Sequence, residues 1–493
     1  MSTATYYERL SPLDASFLAL ESGRTHFHVA SVAILDAGPL RTADGGIDIN
    51  RIRTFIASRL KYVPRYRQRL ASTPLGRSPI WVDANHFDLE YHVRHTSLPR
   101  PGTEAQLKRL AGRVLSQQLD RAQPLWEFWI AEGLDNDRFA LIAKVHHCMI
   151  DGIAGVDLMA VLFGVAPNVE IEPPDRWQPR PAPEGAQLMV AEAARRTRRV
   201  TEAVRTIGRL DAPASTALSS GRHRARATIA SLASGWLRAS SMTPLNGDIG
   251  PNRRFDWFEV PLAEVKEVKQ QFGGKVNDVI LAVVAGGIRR FLTERRSFPP
   301  GDLDFRVMAP VSVRPGPSRG EMGNQVAMWL VKMPLAEGDP VRRLRAITAE
   351  TSNLKETDQA LGAATIVQLS AGAPTTLVGL GARLAAQVLR PFNLTVTNVP
   401  GPQFPMYMME SEVLALYAAV PLWEHHGAGI AVFSYDGRMG WGVQADWDIV
   451  PDLPDLIAAL RDSHEQLLAA ARRAASPSPG RRRATRKAAP EDV

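Results

Sequence analysis

The chemistry-bearing residues of this chain are concentrated in residues 138–152, which read RFALIAKVHHCMIDG. Two adjacent histidines, His146 and His147, are followed by Asp151 and Gly152. Imidazole titrates near neutrality and can take a proton from a hydroxyl or amine nucleophile. Phe139, Leu141, Ala143 and Val145 alternate with Ala140, Ile142 and Lys144, a spacing that predicts a strand with two distinct faces. If the strand runs through the doublet to residue 148, His147 continues the Phe139/Val145 face and His146 points the other way. The two rings should then have different roles. Metal ligation fits poorly, because adjacent histidines on opposite faces cannot share one ion and no HExxH helix is present. Asp151 falls where the strand turns into the next helix. Its carboxylate can accept a hydrogen bond or pair with an arginine and hold the turn, and Gly152 permits close backbone approach.

Several elements must position these groups. Ser11 ahead of Pro12 predicts a capped helix over 11–21. Residues 26–35 are apolar and β-rich, 47–60 and 104–119 show helical spacing, 126–132 and 138–148 read as strands, and 152–163 as a helix. This alternation predicts an α/β sandwich. No internal repeat is visible. The Pro-rich run EPPDRWQPRPAPEG marks a boundary. A basic helix follows, with Met189, Ala193, Val200, Val204 and Ile207 on one stripe, and then a Ser/Ala/Gly-rich stretch over 211–250. A second α/β half begins near residue 255. It has helices over 276–292, 340–355 and 453–473 and a helical pair broken at Pro374. Its strands lie at 305–313, 326–333, 394–399, 429–435 and 440–446. The expected division is 1–175, a basic linker 176–254, 255–474, and a disordered basic tail 475–493. A site between the two halves is expected.

At 493 residues the chain can bury large cores. With 45% hydrophobic and 22% charged residues it is neither a disordered chain nor a fibre. Cys148 is the single cysteine, which excludes an intramolecular disulfide and fits a reducing cytosol. The start, MSTATYYERLSPLD, lacks the apolar core of a secretory signal. No uncharged stretch is apolar enough to span a bilayer, since 360–382 is interrupted by Pro374 and polar residues. Any membrane contact should be peripheral. The net charge of +8 is uneven: residues 176–254 carry fourteen arginines against five carboxylates, and the tail carries most of the remaining excess. Such segments suit anionic lipid or the phosphates of a polyanionic ligand, or are simply solvated. A nucleic-acid partner would rest on the tail alone and is not expected.

Other motifs carry less. GPSRG at 316–320 lacks the strand–turn–helix context of a nucleophile elbow. FGGK at 272–275 lacks P-loop spacing. The doublet His425–His426 has no Asp-Gly at the right offset and reads as structural. Cys148 reads as a packing thiol rather than a nucleophile.

HHCMIDG resembles the HHxxxDG signature of the CoA-dependent acyltransferases, which include chloramphenicol acetyltransferase and peptide-synthetase condensation domains. More closely, the chain resembles the bacterial wax ester synthase/diacylglycerol acyltransferase family. SPLDASFLALE, PLWEFWIAEGL, TPLNGDIGPNRR, VNDVILAVVAGGIRRFL, PVSVR, GNQV and TVTNVPGP occur in the family's order and span nearly everything except the tail. The resemblance implies a two-domain α/β, chloramphenicol-acetyltransferase-like sandwich with a tunnel between the halves. It implies His147 as the general base that deprotonates an acceptor alcohol, which attacks the thioester directly without an acyl-enzyme. His146, Asp151 and Gly152 would support it. Pro124, Leu125 and Trp126, with Asn277 and Asp278, are the family's other signatures and are taken as substrate-binding. Pro124 and Trp126 fit core packing equally well, and Asn277 fits a helix N-cap. Thr395, Thr397 or Asn398 is the expected oxyanion donor, although strand propensity alone would also place threonine there.

The expected function is therefore transfer of a long-chain acyl group from acyl-CoA to diacylglycerol or a fatty alcohol. No cofactor is implied, acyl-CoA being a substrate. The expected location is cytoplasmic, at a membrane or lipid-droplet surface. The alternatives are a condensation-type enzyme with a carrier-protein donor and a non-catalytic lipid-surface protein.

Overall fold

The computed structural model describes residues 5–74, 78–149, 159, 161–167, 170–208, 238–312, 326–356 and 390–476. In chain order the described elements begin with β1 (Glu8–Arg9), α1 (Pro12–Leu20), β2 (His28–Asp36), α2 (Ile49–Arg59), β3 (Gln68–Ser72) and β4 (Pro79–Asp83). The short α3 (Leu89–His92), β5 (Val93–Ser97), α4 (Glu104–Ser116), β6 (Trp126–Leu134), β7 (Arg138–His146) and α5 (Gly185–Gly208) complete the first part. The second part contains β8 (Arg253–Pro261), α6 (Leu262–Phe272), α7 (Val276–Glu294), β9 (Arg306–Ser312), β10 (Val326–Lys332) and α8 (Pro340–Glu356). It ends with β11 (Leu394–Pro400), β12 (Tyr407–Met408), β13 (Ser411–Ala419), β14 (Ala428–Tyr435), β15 (Arg438–Asp446) and α9 (Leu453–Ala475).

Local chemistry sets the helix starts. Ser11 caps α1, its Oγ accepting the Asp14 N–H at 3.1 Å, with Pro12 at the first helical position. Thr103 and Gln106 form a reciprocal capping box on α4. α7 is buried continuously from Asp278 to Ile288, as an apolar helix with no polar face must be. A Cβ on its Gly286 would lie 2.2 Å from Ser463 Oγ, so glycine lets α9 lie close against it.

The fold is a two-domain mixed α/β sandwich. One six-stranded sheet has the order β12-β13-β2-β7-β6-β5, the other β10-β9-β11-β14-β15-β8, and a small sheet pairs β1-β4-β3. The two halves are not cleanly divided in sequence. β12 and β13, from within the span expected as the second half, complete the first sheet, with Ala419 paired to Ala30. The second half also starts slightly early, at β8 Arg253. β15 runs directly behind β13: a Cβ on Gly440 or Gly442 would sit 2.3 Å from Leu416 O or 2.0 Å from Ala418 O. Glycine at both positions is what permits this contact between the sheets.

α5 lies within the expected basic linker. Its buried face uses Leu188, packed on Ile80 and Val82, and Glu192, paired with Arg9 at 2.5 Å. Met189 and Val190 are exposed, so the stripe expected through Met189 points outward where its side chains are described. The helical pair around Pro374, GPSRG and the tail beyond 476 fall outside the described residues, as does all of the expected 152–163 helix except residues 159 and 161–163. Among the described residues no helix is long and apolar enough to cross a membrane.

Candidate active site

The alternation on β7 is as expected up to the doublet. Phe139, Leu141, Ala143 and Val145 enter one apolar core, and Ala140 and Ile142 enter another beneath α4. The strand stops at His146, however, and His147 opens a tight 3-10 turn with Cys148 and Met149. The His147 backbone N–H still donates to Phe27 O at 2.8 Å, in register with the His28–His146 pair, before the chain turns away. The turn brings Cys148 N–H back to His146 Nδ1 at 3.1 Å.

The two rings have different surroundings. His146 is enclosed and cross-strand from His28, with ring centroids 6.2 Å apart. Because Nδ1 accepts a backbone N–H, the neutral ring carries its proton on Nε2. Nε2 lies 3.5 Å from Glu21 Oε1, and His28 Nε2 lies 3.8 Å from the same oxygen. Glu21 is the C-cap of α1, and Arg121 Nε donates to its Oε2 at 2.9 Å. Burial would raise the Glu21 carboxyl, but His146 and Arg121 outweigh it and hold it down to about 2. His147 is half-buried, with its ring 4.0 Å from that of Phe17. Its Nδ1 is buried without a hydrogen-bond partner among the described residues. Burial, reinforced by His146, pushes the His147 imidazole down to about 4. It is therefore neutral at physiological pH, with a lone pair available to accept a proton.

The PLW segment acts on the doublet through the backbone. Leu125 O accepts the His146 N–H at 2.9 Å, and Trp126 is paired with Val145. Pro124, Leu125 and Trp126 are all buried. The Trp126 indole donates to Tyr66 O at 2.8 Å and stacks on His92 with centroids 4.5 Å apart. Asn277 is not the N-cap of α7. The helix begins at Val276 with Lys275 as N-cap, which places Asp278 third, where its carboxylate reaches back. Asp278 accepts the Lys275 N–H at 2.8 Å and the Thr351 hydroxyl at 2.9 Å.

Thr395 on β11 is buried, and its Oγ1 has no hydrogen-bond partner among the described residues. It is paired with Met308, which clusters with Leu330, Phe392 and Trp423. Trp423 meets Phe27 edge-on at 5.1 Å. An apolar wall thus leads from the Thr395 face, through Trp423 and Phe27, to Phe17 against His147. Thr397, on the same strand face, and Asn398, on the opposite one, are half-buried. Asp151 and Gly152 lie outside the described residues. So do the rest of 150–158, which follow the doublet, and the described residues do not outline the expected tunnel.

Sequence reasoning gave no role to Glu21, Arg121, His28, Phe17, Phe27 or Trp423. Glu21 and Phe17 lie in the SPLDASFLALE segment that contributed to the resemblance. The others are brought in by strand register, which a single sequence does not display. Cys148 is buried and its thiol is pushed well up by burial, in keeping with packing. His426 is buried, its two ring nitrogens 2.6 and 2.7 Å from the carbonyls of Glu424 and Phe392, a structural tie beside β11.

Comparison with known proteins places the chain in a family. The wax ester synthase/diacylglycerol acyltransferase catalytic domain matches residues 10–280, and the family's C-terminal domain matches 322–468. A probable diacylglycerol O-acyltransferase, tgs1, of Mycobacterium tuberculosis H37Rv is 33% identical over 476 residues, covering 94% of this chain and 96% of that protein. A putative diacylglycerol O-acyltransferase of M. tuberculosis CDC 1551 is 32% identical over 470 residues, covering 94% and 90%. Among solved structures, the wax ester synthase/diacylglycerol acyltransferase of Marinobacter aquaeolei VT8 superposes with TM-score 0.65 at 23% identity, covering 94% of this chain and 99% of that one. The trichothecene 15-O-acetyltransferase of Fusarium sporotrichioides shares the fold at TM-score 0.58 and 10% identity. Two family domains that together cover most of the chain, and relatives aligned nearly end to end, make it a member of the wax ester synthase/diacylglycerol acyltransferase family.

Proposed function

We propose that the protein moves a long-chain acyl group from acyl-CoA to the hydroxyl of diacylglycerol, with a fatty alcohol as a second acceptor, at the surface of a membrane or lipid droplet. No cofactor takes part. The observation that carries this reading is the neutral, half-buried His147 beside an apolar wall built from both halves of the chain. In the reaction His147 takes the acceptor's hydroxyl proton as its oxygen attacks the thioester carbonyl. The C–S bond then breaks, the ester C–O bond remains, and the proton passes to the CoA thiolate. Thr395, a buried hydroxyl without a partner among the described residues, is the donor best suited to the oxyanion that develops in between. His146 holds the adjoining turn through Cys148 N–H.

The test incubates palmitoyl-CoA with diolein or hexadecanol and follows CoA release and ester formation. His147→Ala should lower turnover at least about 100-fold with the fold retained. Turnover close to wild type in the variant would overturn the base assignment. A wild-type protein inert with both acceptors would point to a carrier-bound donor or a non-catalytic lipid-surface role.

A further inference from the structure

Behind the histidine doublet lies a carboxylate to which the proposed reaction assigns no step. Glu21 sits at the end of α1 with its side chain 2% exposed. One oxygen is taken by Arg121, which also donates to Leu18 O at 2.9 Å and so closes the C-terminal turn of α1. The other oxygen faces His146 Nε2 at 3.5 Å. From the opposite side of the ring, Cys148 N–H donates to His146 Nδ1 at 3.1 Å. The imidazole is thus fixed at Nδ1 by a backbone donor that requires that nitrogen bare, while the Glu21 carboxylate, at ion-pair rather than hydrogen-bond geometry, favours a proton on Nε2. The peptide joining His146 to His147 starts the turn that sets the second ring against Phe17.

We infer that Glu21, clamped by Arg121, is a positioning residue that fixes the tautomer and orientation of His146 and thereby the placement of the His147 ring. This rests on the reading of His147 as the proton acceptor. Buried carboxylates in general orient an imidazole and oppose the positive charge it gains. Glu21 would act one residue removed, on the neighbour of the ring that gains the proton.

Glu21→Gln is the informative variant because it keeps the shape and removes one acceptor. A glutamine carbonyl that answers Arg121 turns its NH2 toward His146 Nε2. That presents a donor to a donor, so the proton should move to Nδ1 or the ring should turn, and either breaks the Cys148 contact. With 15N-histidine labelling of the full chain, wild-type His146 should show the Nε2–H tautomer and Glu21→Gln should shift it. Turnover with palmitoyl-CoA should fall at least about tenfold, in kcat, with KM for palmitoyl-CoA nearly unchanged. A wild-type His146 in the Nδ1–H form would overturn the inference without any variant. So would a Glu21→Gln protein with wild-type kcat, or one whose loss lies wholly in KM. His147→Ala run in parallel separates the two readings: if it remains active, the base assignment fails while the His146 tautomer still reports on Glu21. If it is inactive and Glu21→Gln is not, only the positioning inference fails.

Discussion

Burial keeps the candidate base uncharged. His147 is held down to about 4, so almost none of it is lost to protonation at neutral pH, at the expense of intrinsic basicity. His92 behaves likewise. Its Nδ1 donates to Trp126 O at 2.8 Å, its Nε2 is buried without a partner among the described residues, and burial lowers it to about 4. His28 is driven well below its usual value by burial and by Lys144. In the unfolded chain all three titrate near 6.5. Between pH 6.5 and 4 the unfolded state therefore binds more protons than the folded one, and stability falls as the pH falls. Stability is full above 6.5, and for His92 and His147 the loss is complete near 4. Lowering the pH from 7 to 5.5 should cost about 1 kcal/mol for each of His92 and His147, with His28 acting in the same direction. Urea unfolding at the two pH values measures this. A midpoint independent of pH over that range would contradict the neutral, buried assignment.

At the scale of elements, β7 is tied to α4 by a buried lysine. Lys144, fully enclosed two residues before His146, directs its ammonium at Val114 O (3.1 Å), Gln117 O (3.0 Å) and Glu127 Oε2 (3.2 Å). Its three donors thereby meet the last carbonyls of a helix and one carboxylate, which suits a cation at the negative end of the helix dipole. Lys144→Ala would take a donor from the Val114 and Gln117 carbonyls, remove a cation from the buried Glu127 carboxylate and leave a cavity, costing about 3 kcal/mol or more. Chemical denaturation should show this loss, and one below about 1 kcal/mol would mean that water or neighbouring groups replace the ammonium. Lys144 also marks the reach of the sequence. Alternation along β7 was readable because each face of the strand enters a different core. The end of the strand was not, since HHCM has no glycine or proline to signal a turn. The exchange of β13 into the first sheet was also hidden. Pairing of Ala419 with Ala30 is a contact across nearly the whole chain, and no local pattern encodes it. Thr395 was selected on its sequence segment alone, whereas Trp423, which links its strand face to Phe27, became visible only through that exchange.

At the scale of the whole molecule, the positive excess is concentrated where the chain leaves its first half. α5 docks on the small sheet through Leu188 and through Glu192, which Arg9 and Arg195 both engage. On the outward side Met189 is 46% and Val190 71% exposed. Exposed apolar residues on a helix within an arginine-rich segment suit the boundary between lipid headgroups and acyl chains. An acyltransferase acting on water-insoluble acceptors also needs a route to them, and His147 lies in the same half of the molecule as the small sheet on which this helix docks. Each arginine close to an anionic leaflet contributes about 1 kcal/mol, and the attraction decays over roughly 10 Å at 0.1 M salt. Binding of the full-length protein to phosphatidylserine-containing vesicles should therefore weaken several-fold between 50 and 300 mM NaCl. Met189→Asp combined with Val190→Asp should reduce it further at either salt concentration, while CoA release with a detergent-dispersed acceptor stays near wild type. Those two side chains face outward and contact neither the doublet nor the core. Binding indifferent to both salt and the double substitution would place the lipid contact elsewhere on the molecule. A loss of detergent-phase activity in the double variant would mean that the helix serves the reaction itself rather than its location.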